Sequence, residues 1–139
     1  MLGIKLRQAE KRDWDLILDL RNASYKFFYK QNEPISHNEH YKYMENQIKN
    51  NNFHQWIITH NNEDAGYVRI LDSDVSIMVD KEYQNKGIAS IALFLLEKEA
   101  KTLGIKKLVA LVAPENKSSQ KIFQKNNYIL KLNLFEKDL

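Results

Sequence analysis

The amino-acid sequence predicts one small α/β domain, residues 1–139, in which about four helices flank a mixed central sheet of six or seven strands. Three observations predict this class. The chain has 139 residues, 43% of them hydrophobic and 28% charged, which is typical of one globular domain. Residues 53–79 have the pattern of three short strands. Residues 75–112 have the pattern of a strand, a helix and a second, parallel strand.

The N-terminal part is expected to form one strand and two helices. Polarity alternates over residues 4–9, which indicates the first strand. Asp13 is placed to cap the first helix. The apolar face of that helix would hold Leu16, Ile17 and Leu20. Ser36 and Glu39 have the spacing of a capping box that opens the second helix. The apolar face of the second helix would hold Tyr41, Met44 and Ile48.

The middle of the chain predicts an antiparallel meander. Residues 53–59 and 65–71 would form a hairpin around a four-residue loop at 61–64. A second turn at 72–74 leads into the strand 75–79. Gly87 then opens a long helix over 88–103, and Gly104 stands where a glycine ends a helix.

The C-terminal part is expected to add the remaining strands. The apolar run 108–112 is typical of a central strand buried on both faces. Asn116 is placed to cap a helix over 117–125. Residues 128–132 would form a further strand, with one more extending to 135. The expected order is therefore β-α-α-β-β-β-α-β-α-β.

Composition excludes several classes of function. The absence of cysteine excludes disulfides, thiolate zinc sites and a cysteine nucleophile, and the four histidines lack the spacing of a metal site, so we expect no metal. A net charge of +3 is too small to indicate nucleic-acid binding. No signal peptide is seen, and the longest apolar stretch is about half a membrane span. We expect a cytoplasmic protein that binds neither nucleic acid nor membrane.

The turn after the meander is the strongest functional signal. It comprises Gln84, Asn85, Lys86, Gly87, Ile88, Ala89 and Ser90. A helix that begins at a glycine offers unpaired amides and the positive end of its dipole, which together suit a diphosphate. The spacing fits neither a Walker loop nor a dinucleotide fingerprint. From the glycine alone, a plain tight turn is the other explanation.

Two segments resemble the GNAT superfamily of N-acetyltransferases. Residues 79–89, VDKEYQNKGIA, resemble its coenzyme A signature, V-x-P-x-[YF]-[QR]-x-x-G-[IL]-[GA]. Residues 116–128 resemble its second pattern, N-x-x-[SA]-x-x-x-[YF]-x-x-x-G-[FY]. With the expected strand order, the resemblance covers nearly the whole chain. It implies the GNAT fold and an enzyme that transfers acetyl from acetyl-CoA to a primary amine.

The resemblance also implies a set of cofactor-binding residues. Backbone groups of Ile77, Met78 and Val79 would pair with the pantetheine arm, on a strand that the family splays from the next, often with a β-bulge. The amides from Asn85 to Ser90 would hold the diphosphate. Lining of the pantetheine and sulfur end is expected from Asn116, Ser119 and Phe123.

The chain departs from the family where protons move. Phe123 stands where many members have a tyrosine acid, and Leu111 stands where many peptide N-terminal acetyltransferases have a glutamate base. Neither side chain can transfer a proton. Asp74 is our candidate base, acting through a water, although a turn aspartate is the simpler explanation.

The N-terminal half resembles a narrower group, the nucleotide-amino-sugar N-acetyltransferases of pseudaminic-acid-type pathways. That resemblance implies a set of acceptor-binding residues, namely Arg21, Asn22, His40, Tyr43 and Arg69. Structural explanations stay open: helix-face packing for His40, the helix dipole for Arg21, and a cross-strand charge for Arg69. The aromatic run Tyr25, Phe27, Phe28 and Tyr29 is either core or a sugar platform.

The acceptor is expected to be the amine of a nucleotide-linked sugar. Such an amine is less basic than that of lysine, whose pKa is about 10.4, and it suits a site without a glutamate base. The alternatives are a protein N-terminus, a small amine, or a non-catalytic module that binds acyl-CoA. A homodimer is left open.

Overall fold

The computed structural model describes residues 3–25 and 33–139, and its core is an antiparallel sheet with helices on both faces. The elements are β1 (Ile4–Gln8), α1 (Trp14–Ser24), α2 (His37–Ile48), β2 (Phe53–His60), β3 (Glu63–Leu71), β4 (Asp74–Val79), α3 (Ile88–Thr102) and α4 (Lys117–Lys125). Short 3₁₀ turns lie at Lys11–Asp13 and Lys81–Tyr83. The sheet order is β1-β2-β3-β4, and every pairing is antiparallel.

Alternation along each strand divides the core between the two faces of the sheet. On one face Trp56, Val68 and Val75 pack with the buried side of α3. On the other face Ile57, Tyr67 and Met78 pack with α1 and α2. Residues on the second face of β3 and β4 therefore look toward α1 and α2, whereas the α3 face leads to the turn at Gly87.

The hairpin between β2 and β3 is tighter than the sequence predicted. Its loop is Asn61-Asn62 alone, with φ of 50° and 68°, and Glu63 already belongs to β3. The four-residue loop was wrong because asparagine tolerates positive φ, so two residues complete the turn. The register shifts between Ile58 and Thr59, which accommodates the tight turn.

Helix caps were predicted well at two of three positions. Ser36 Oγ accepts the Glu39 amide at the start of α2, and Asn116 Oδ1 accepts the Ser119 amide at the start of α4. Asp13 precedes α1 but its side chain does not cap that helix. Both carboxylate oxygens of Asp13 bind the Arg7 guanidinium at 2.8 Å, since a bidentate ion pair outcompetes a single amide. Ile48, predicted to be apolar core, is 71% exposed.

The sheet of six or seven strands is wrong for the part of the chain that the structure describes, where four strands form. Residues 108–112 form no strand. Their backbone pairing with the sheet is one parallel bridge between Asp74 and Val109, with the parallel direction that the crossover predicted, and Leu108, Ala110 and Val112 pack against the core. Leu111 is 55% exposed. A central strand needs a neighbour on each edge, and the far edge of this segment has none among the described residues.

The expected C-terminal strands at 128–132 and onward to 135 are absent as well. Residues 129–139 are exposed and form no regular element. Their large apolar side chains, Ile129 and Phe135 among them, are 73% and 91% exposed. β-Propensity alone does not form a strand when no paired edge is available to supply hydrogen bonds.

The described residues contain neither a helix of the length and apolarity that a membrane span needs nor a group of three residues arranged to hold a metal ion.

Candidate active site

The turn before α3 has the geometry of a phosphate cradle. Gly87 is the N-cap of α3 with φ of 76°, a left-handed conformation that favours glycine. A Cβ added there would meet nothing within 4 Å, so the Gly87 backbone is uncovered on that side. No side chain caps α3, in contrast to the capped α2 and α4, and the first turn of α3, like that of α4, carries no acidic residue. These features fit a diphosphate that accepts hydrogen bonds from the first amides.

The preceding residues are tied to the sheet. The Tyr83 hydroxyl donates to Glu63 Oε2 at 2.7 Å, which links the turn to the start of β3. The Gln84 side-chain amide donates to the Val79 carbonyl at 2.9 Å. Lys86 Nζ lies 5.7 Å from the centroid of the Tyr83 ring and remains exposed. The turn therefore presents a cation on a fixed support.

The outer edge of β4 opens after its first residues. The Val75 amide donates to the Val109 carbonyl, and the Val109 amide donates to the Ser73 carbonyl, each at 2.8 Å. Backbone groups alternate between the two edges of a strand, so Ile77 and Val79 face the same outer edge as Val75. Beyond Val75, the described part of the chain pairs no strand with this edge. Backbone groups are thus available for an extended ligand.

The same alternation directs the backbone groups of Met78 toward β3. Asp80, two residues after Met78, donates its amide to the Ala65 carbonyl of β3 at 2.8 Å, which marks the even-numbered residues as paired with β3. Met78 itself is 4% exposed and belongs to the core under α1 and α2. Its backbone therefore serves the sheet.

Helix α4 packs its predicted site residue into the core. Phe123 is 7% exposed, and its ring lies 5.0 Å from that of Tyr128 in an edge-on arrangement. Asn116 and Ser119 meet at the N-terminus of the same helix, where one caps the amide of the other at 3.1 Å. Phe123 thus has a packing function whatever else it contacts.

His40 is enclosed behind Arg21. His40 is fully buried, with Nε2 lying 2.8 Å from the Trp14 carbonyl and Nδ1 lying 3.3 Å from Arg21 Nη1. A carbonyl only accepts, so Nε2 carries the hydrogen and Nδ1 accepts from Arg21. Burial is the main cause that lowers the pKa of His40, and Arg21 lowers it further. His40 is therefore neutral near pH 7 and accepts from Arg21 through Nδ1.

Arg21 is a cation without a counter-ion. Its guanidinium carbon lies 5.4 Å above the centre of the Tyr43 ring. Desolvation is the main cause that lowers its pKa. No carboxylate pairs with Arg21 among the described residues, and residues 1–2 and 26–32 contain no Asp or Glu. A half-buried arginine in this state favours an anionic ligand.

Arg69 and Asp74 form a pair on the same face of the sheet. Arg69 Nη1 lies 3.3 Å from Asp74 Oδ2 and 3.0 Å from the Asp74 carbonyl. The other carboxylate oxygen, Oδ1, is buried and has no hydrogen-bond partner among the described residues. Arg69 therefore fixes the carboxylate and leaves Oδ1 able to accept a proton or a hydrogen bond.

The remaining predicted acceptor residues are placed differently. Asn22 uses both ends of its side-chain amide on the backbone of Ile35, accepting at 2.8 Å and donating at 3.0 Å, so it ties α1 to the segment before α2. Of the aromatic run, Tyr25 is half-buried, whereas Phe27, Phe28 and Tyr29 lie outside the described residues.

Sequence reasoning missed three connections. These are the Tyr83–Glu63 bond, the ion pairs of Arg7 with Asp13 and Asp64, and a bond from Asn126 to Ser90. The partners are far apart in sequence or of ordinary surface type, so no local pattern marked them. The adjacent pair Asn126-Asn127 at a helix end was the one available signal.

A strand with an open edge leading into a helix that begins at a glycine is the arrangement that the resemblance to acyl-CoA-dependent transferases implies. Comparison with known proteins makes the family explicit. Residues 4–128 match the family described as acetyltransferase (GNAT) domain. The chain belongs to that family. It is an N-acetyltransferase whose acetyl donor is acetyl-CoA. A comparison with curated protein sequences found no match.

Solved structures of similar proteins have the same fold. A spermidine N-acetyltransferase from Vibrio cholerae, in complex with CoA and spermine, has a TM-score of 0.84 and 19% identity, covering 99% of this chain and 87% of that one. An N-acetyltransferase from Staphylococcus aureus Mu50 has a TM-score of 0.72 and 27% identity, with 89% and 82% covered. RimL, a ribosomal L7/L12 α-N-protein acetyltransferase in complex with CoA, has a TM-score of 0.78 and 18% identity, with 94% and 82% covered.

Proposed function

We propose that this N-acetyltransferase acetylates the amine of a nucleotide-linked amino sugar. The observation that carries the proposal is the unpaired Arg21, held against Tyr43 by a neutral His40. A nucleotide-linked sugar brings a diphosphate, which a planar guanidinium binds in two places. A polyamine brings only positive charge, which Arg21 repels. The positive charge of Arg21 therefore favours an anionic acceptor for this chain, whereas its structural neighbour from Vibrio cholerae is a spermidine N-acetyltransferase.

Three groups of residues would contact successive parts of acetyl-CoA. Backbone groups of Ile77 and Val79 would pair with the pantetheine arm, and we assign Met78 to the sheet. The residues Gln84, Asn85, Lys86, Gly87, Ile88, Ala89 and Ser90 would hold the diphosphate. Asn116, Ser119 and Phe123 would border the end near sulfur. When bound, acetyl-CoA supplies an activated acyl group.

Proton transfer is assigned to Asp74. The amine nitrogen forms a bond to the acyl carbon, the carbon–sulfur bond breaks, and the amine loses one proton while the leaving thiolate gains one. Asp74 Oδ1 would accept the amine proton through a water, because Phe123 and Leu111 cannot move protons. Arg69 would keep the Asp74 carboxylate in place. The thiolate would take its proton from water, or it would receive the proton that left the attacking nitrogen.

The decisive experiment compares acceptors in the parent protein and in Arg21→Gln. We expect a UDP-linked amino sugar to be acetylated faster than spermidine or a peptide with a free N-terminus. Arg21→Gln should raise KM for the nucleotide sugar about tenfold or more, the loss of one charged hydrogen bond, with KM for acetyl-CoA unchanged. Arg12→Gln, at an exposed arginine paired with Glu10, is the matched control and should change neither. Faster turnover of spermidine or of the peptide would overturn the assignment.

A further inference from the structure

One side-chain amide joins the end of α4 to the beginning of α3. Asn126 Nδ2 lies 3.0 Å from Ser90 Oγ and 2.9 Å from the Ile122 carbonyl oxygen. Asn126 follows the last residue of α4, and Ser90 is the third residue of α3. The bond thus spans the two helices that border the cofactor turn, and both of its side chains are partly buried.

The partners fix the direction of each hydrogen bond. The Ile122 carbonyl only accepts, so the atom of Asn126 facing it is the amide nitrogen, which only donates. The same nitrogen donates to Ser90, and the Ser90 oxygen is therefore an acceptor in this bond. Its own hydroxyl hydrogen is left over. Throughout the described ranges, no acceptor for that hydrogen lies within bonding distance.

The spare hydrogen belongs to the first turn of α3, three residues after Gly87, whose backbone is uncovered on the side where a Cβ would point. A diphosphate has only acceptors to offer, so it binds a hydroxyl only when the hydroxyl donates. We propose that Asn126 is a positioning residue that holds Ser90 in its donor orientation toward the diphosphate of acetyl-CoA. This inference rests on the cofactor site assigned above.

The physical effect is the removal of a competing bond. A serine in a helix can turn its hydroxyl back to a carbonyl of the preceding turn, and for Ser90, the third residue of α3, that carbonyl is the one of the N-cap Gly87, three residues earlier. By occupying a lone pair of the Ser90 oxygen, Asn126 favours the rotamers that direct the hydrogen outward. A donor oriented before binding loses less entropy when the ligand arrives.

The test is a double-mutant cycle read by CoA binding in calorimetry, with the CoA-induced rise in Tm as a second readout. Ser90→Ala should weaken CoA binding about tenfold, the loss of one hydrogen bond to a charged group. Asn126→Ala should weaken it about threefold. The double variant should bind no more weakly than Ser90→Ala, because Asn126 acts through Ser90. Gln120→Ala removes an α4 amide that bonds only Ala113 and Pro114, and should bind CoA within twofold of the parent.

Asn126 also donates to Ile122 at the end of α4, so its loss can affect folding. Asn126→Asp keeps the shape of the side chain, so it is combined with Ser90→Ala in a second double-mutant cycle. A carboxylate accepts the Ser90 hydrogen and removes it from the ligand, so Ser90→Ala should cost little further in that background. Equal effects of Ser90→Ala in the parent and in either Asn126 variant would overturn the inference and leave Asn126 as a helix cap. Absence of CoA binding by the parent protein would instead refute the cofactor site itself.

Discussion

His40 shows how burial changes the function of one side chain. The ring is fully enclosed, with the Trp14 carbonyl on one nitrogen and Arg21 on the other. Among the charged groups that face it, Arg21 and His37 oppose protonation and Asp15 favours it, but burial is the largest cause of its lowered pKa. A neutral ring can accept from Arg21, whereas a protonated ring would repel it.

The neutral state of His40 predicts a pH-dependent stability. Below the ordinary histidine pKa of about 6.5, the unfolded chain binds a proton that folded His40 does not, so stability is present above that pH and decreases as pH falls. The free energy of unfolding should fall between pH 7 and pH 5.5 by up to about 1.4 kcal/mol per pH unit for this group. Urea titrations at each pH measure it.

His40→Gln should flatten this dependence, because its amide still donates to the Trp14 carbonyl but does not titrate. His37→Gln is the control, since that ring is 60% exposed and should leave the dependence in place. If His40→Gln showed the same pH dependence of the free energy of unfolding as the parent, His40 would not be the cause of the loss of stability at low pH.

At the scale of elements, the beginnings of the three helices α2, α3 and α4 are the informative features. Ser36 and Asn116 cap α2 and α4, whereas α3 begins at Gly87 without a side-chain cap. A cap is worth about 1 kcal/mol to a helix. Of these three beginnings, that of α3 is the uncapped one, so its first amides are available to a ligand.

Gly87→Asp should abolish the rise in Tm that acetyl-CoA produces, because a carboxylate repels phosphate and can itself cap the helix. Gly104→Asp is a matched control. Gly104 has φ of 79° and equally open space around its missing Cβ, so it imposes the same backbone strain far from the site. Thermal melts with and without acetyl-CoA measure this rise in Tm. The same rise in Gly87→Asp as in the parent would show that the turn is not part of the cofactor site.

At the scale of the whole molecule, the two faces of the sheet are used differently. The face under α1 and α2 carries the Arg69–Asp74 pair, with Arg69 close enough to Arg21 to lower its pKa, and the outer edge of β4 leads to the turn at Gly87. Beyond Tyr128 the chain adds exposed apolar side chains and no regular element. The family match also ends at residue 128.

Removal of residues 129–139 should therefore change the free energy of unfolding by less than about 0.5 kcal/mol, as for other exposed positions. Removal of residues 123–139 is the contrasting variant, since it takes away Phe123 and Tyr128, which pack against each other, and should unfold the protein. Urea unfolding of both truncations measures this. A large loss from the shorter truncation would mean that the C-terminal segment is packed in solution.

Local sequence determined the features that depend on neighbours along the chain. The four helices, the meander and the caps at Ser36 and Asn116 follow from periodicity and capping chemistry within a few residues. The start of α3 at Gly87 was predicted in the same way, whereas the left-handed conformation of Gly87 is seen only in the structure. Tertiary structure decided the rest. The Asp13 side chain binds Arg7 instead of capping α1, the Asn22 side chain binds the Ile35 backbone, and His40 is buried in contact with Arg21.

The failed strands have the same physical explanation. Residues 108–112 and 128–135 are as apolar as strands require, but a strand is completed by backbone bonds to a neighbour that the segment itself does not contain. A helix satisfies its hydrogen bonds within its own residues, so its sequence is sufficient to predict it. Pairing, ion pairs and enclosure depend on which distant groups meet, and the three-dimensional packing alone decides that.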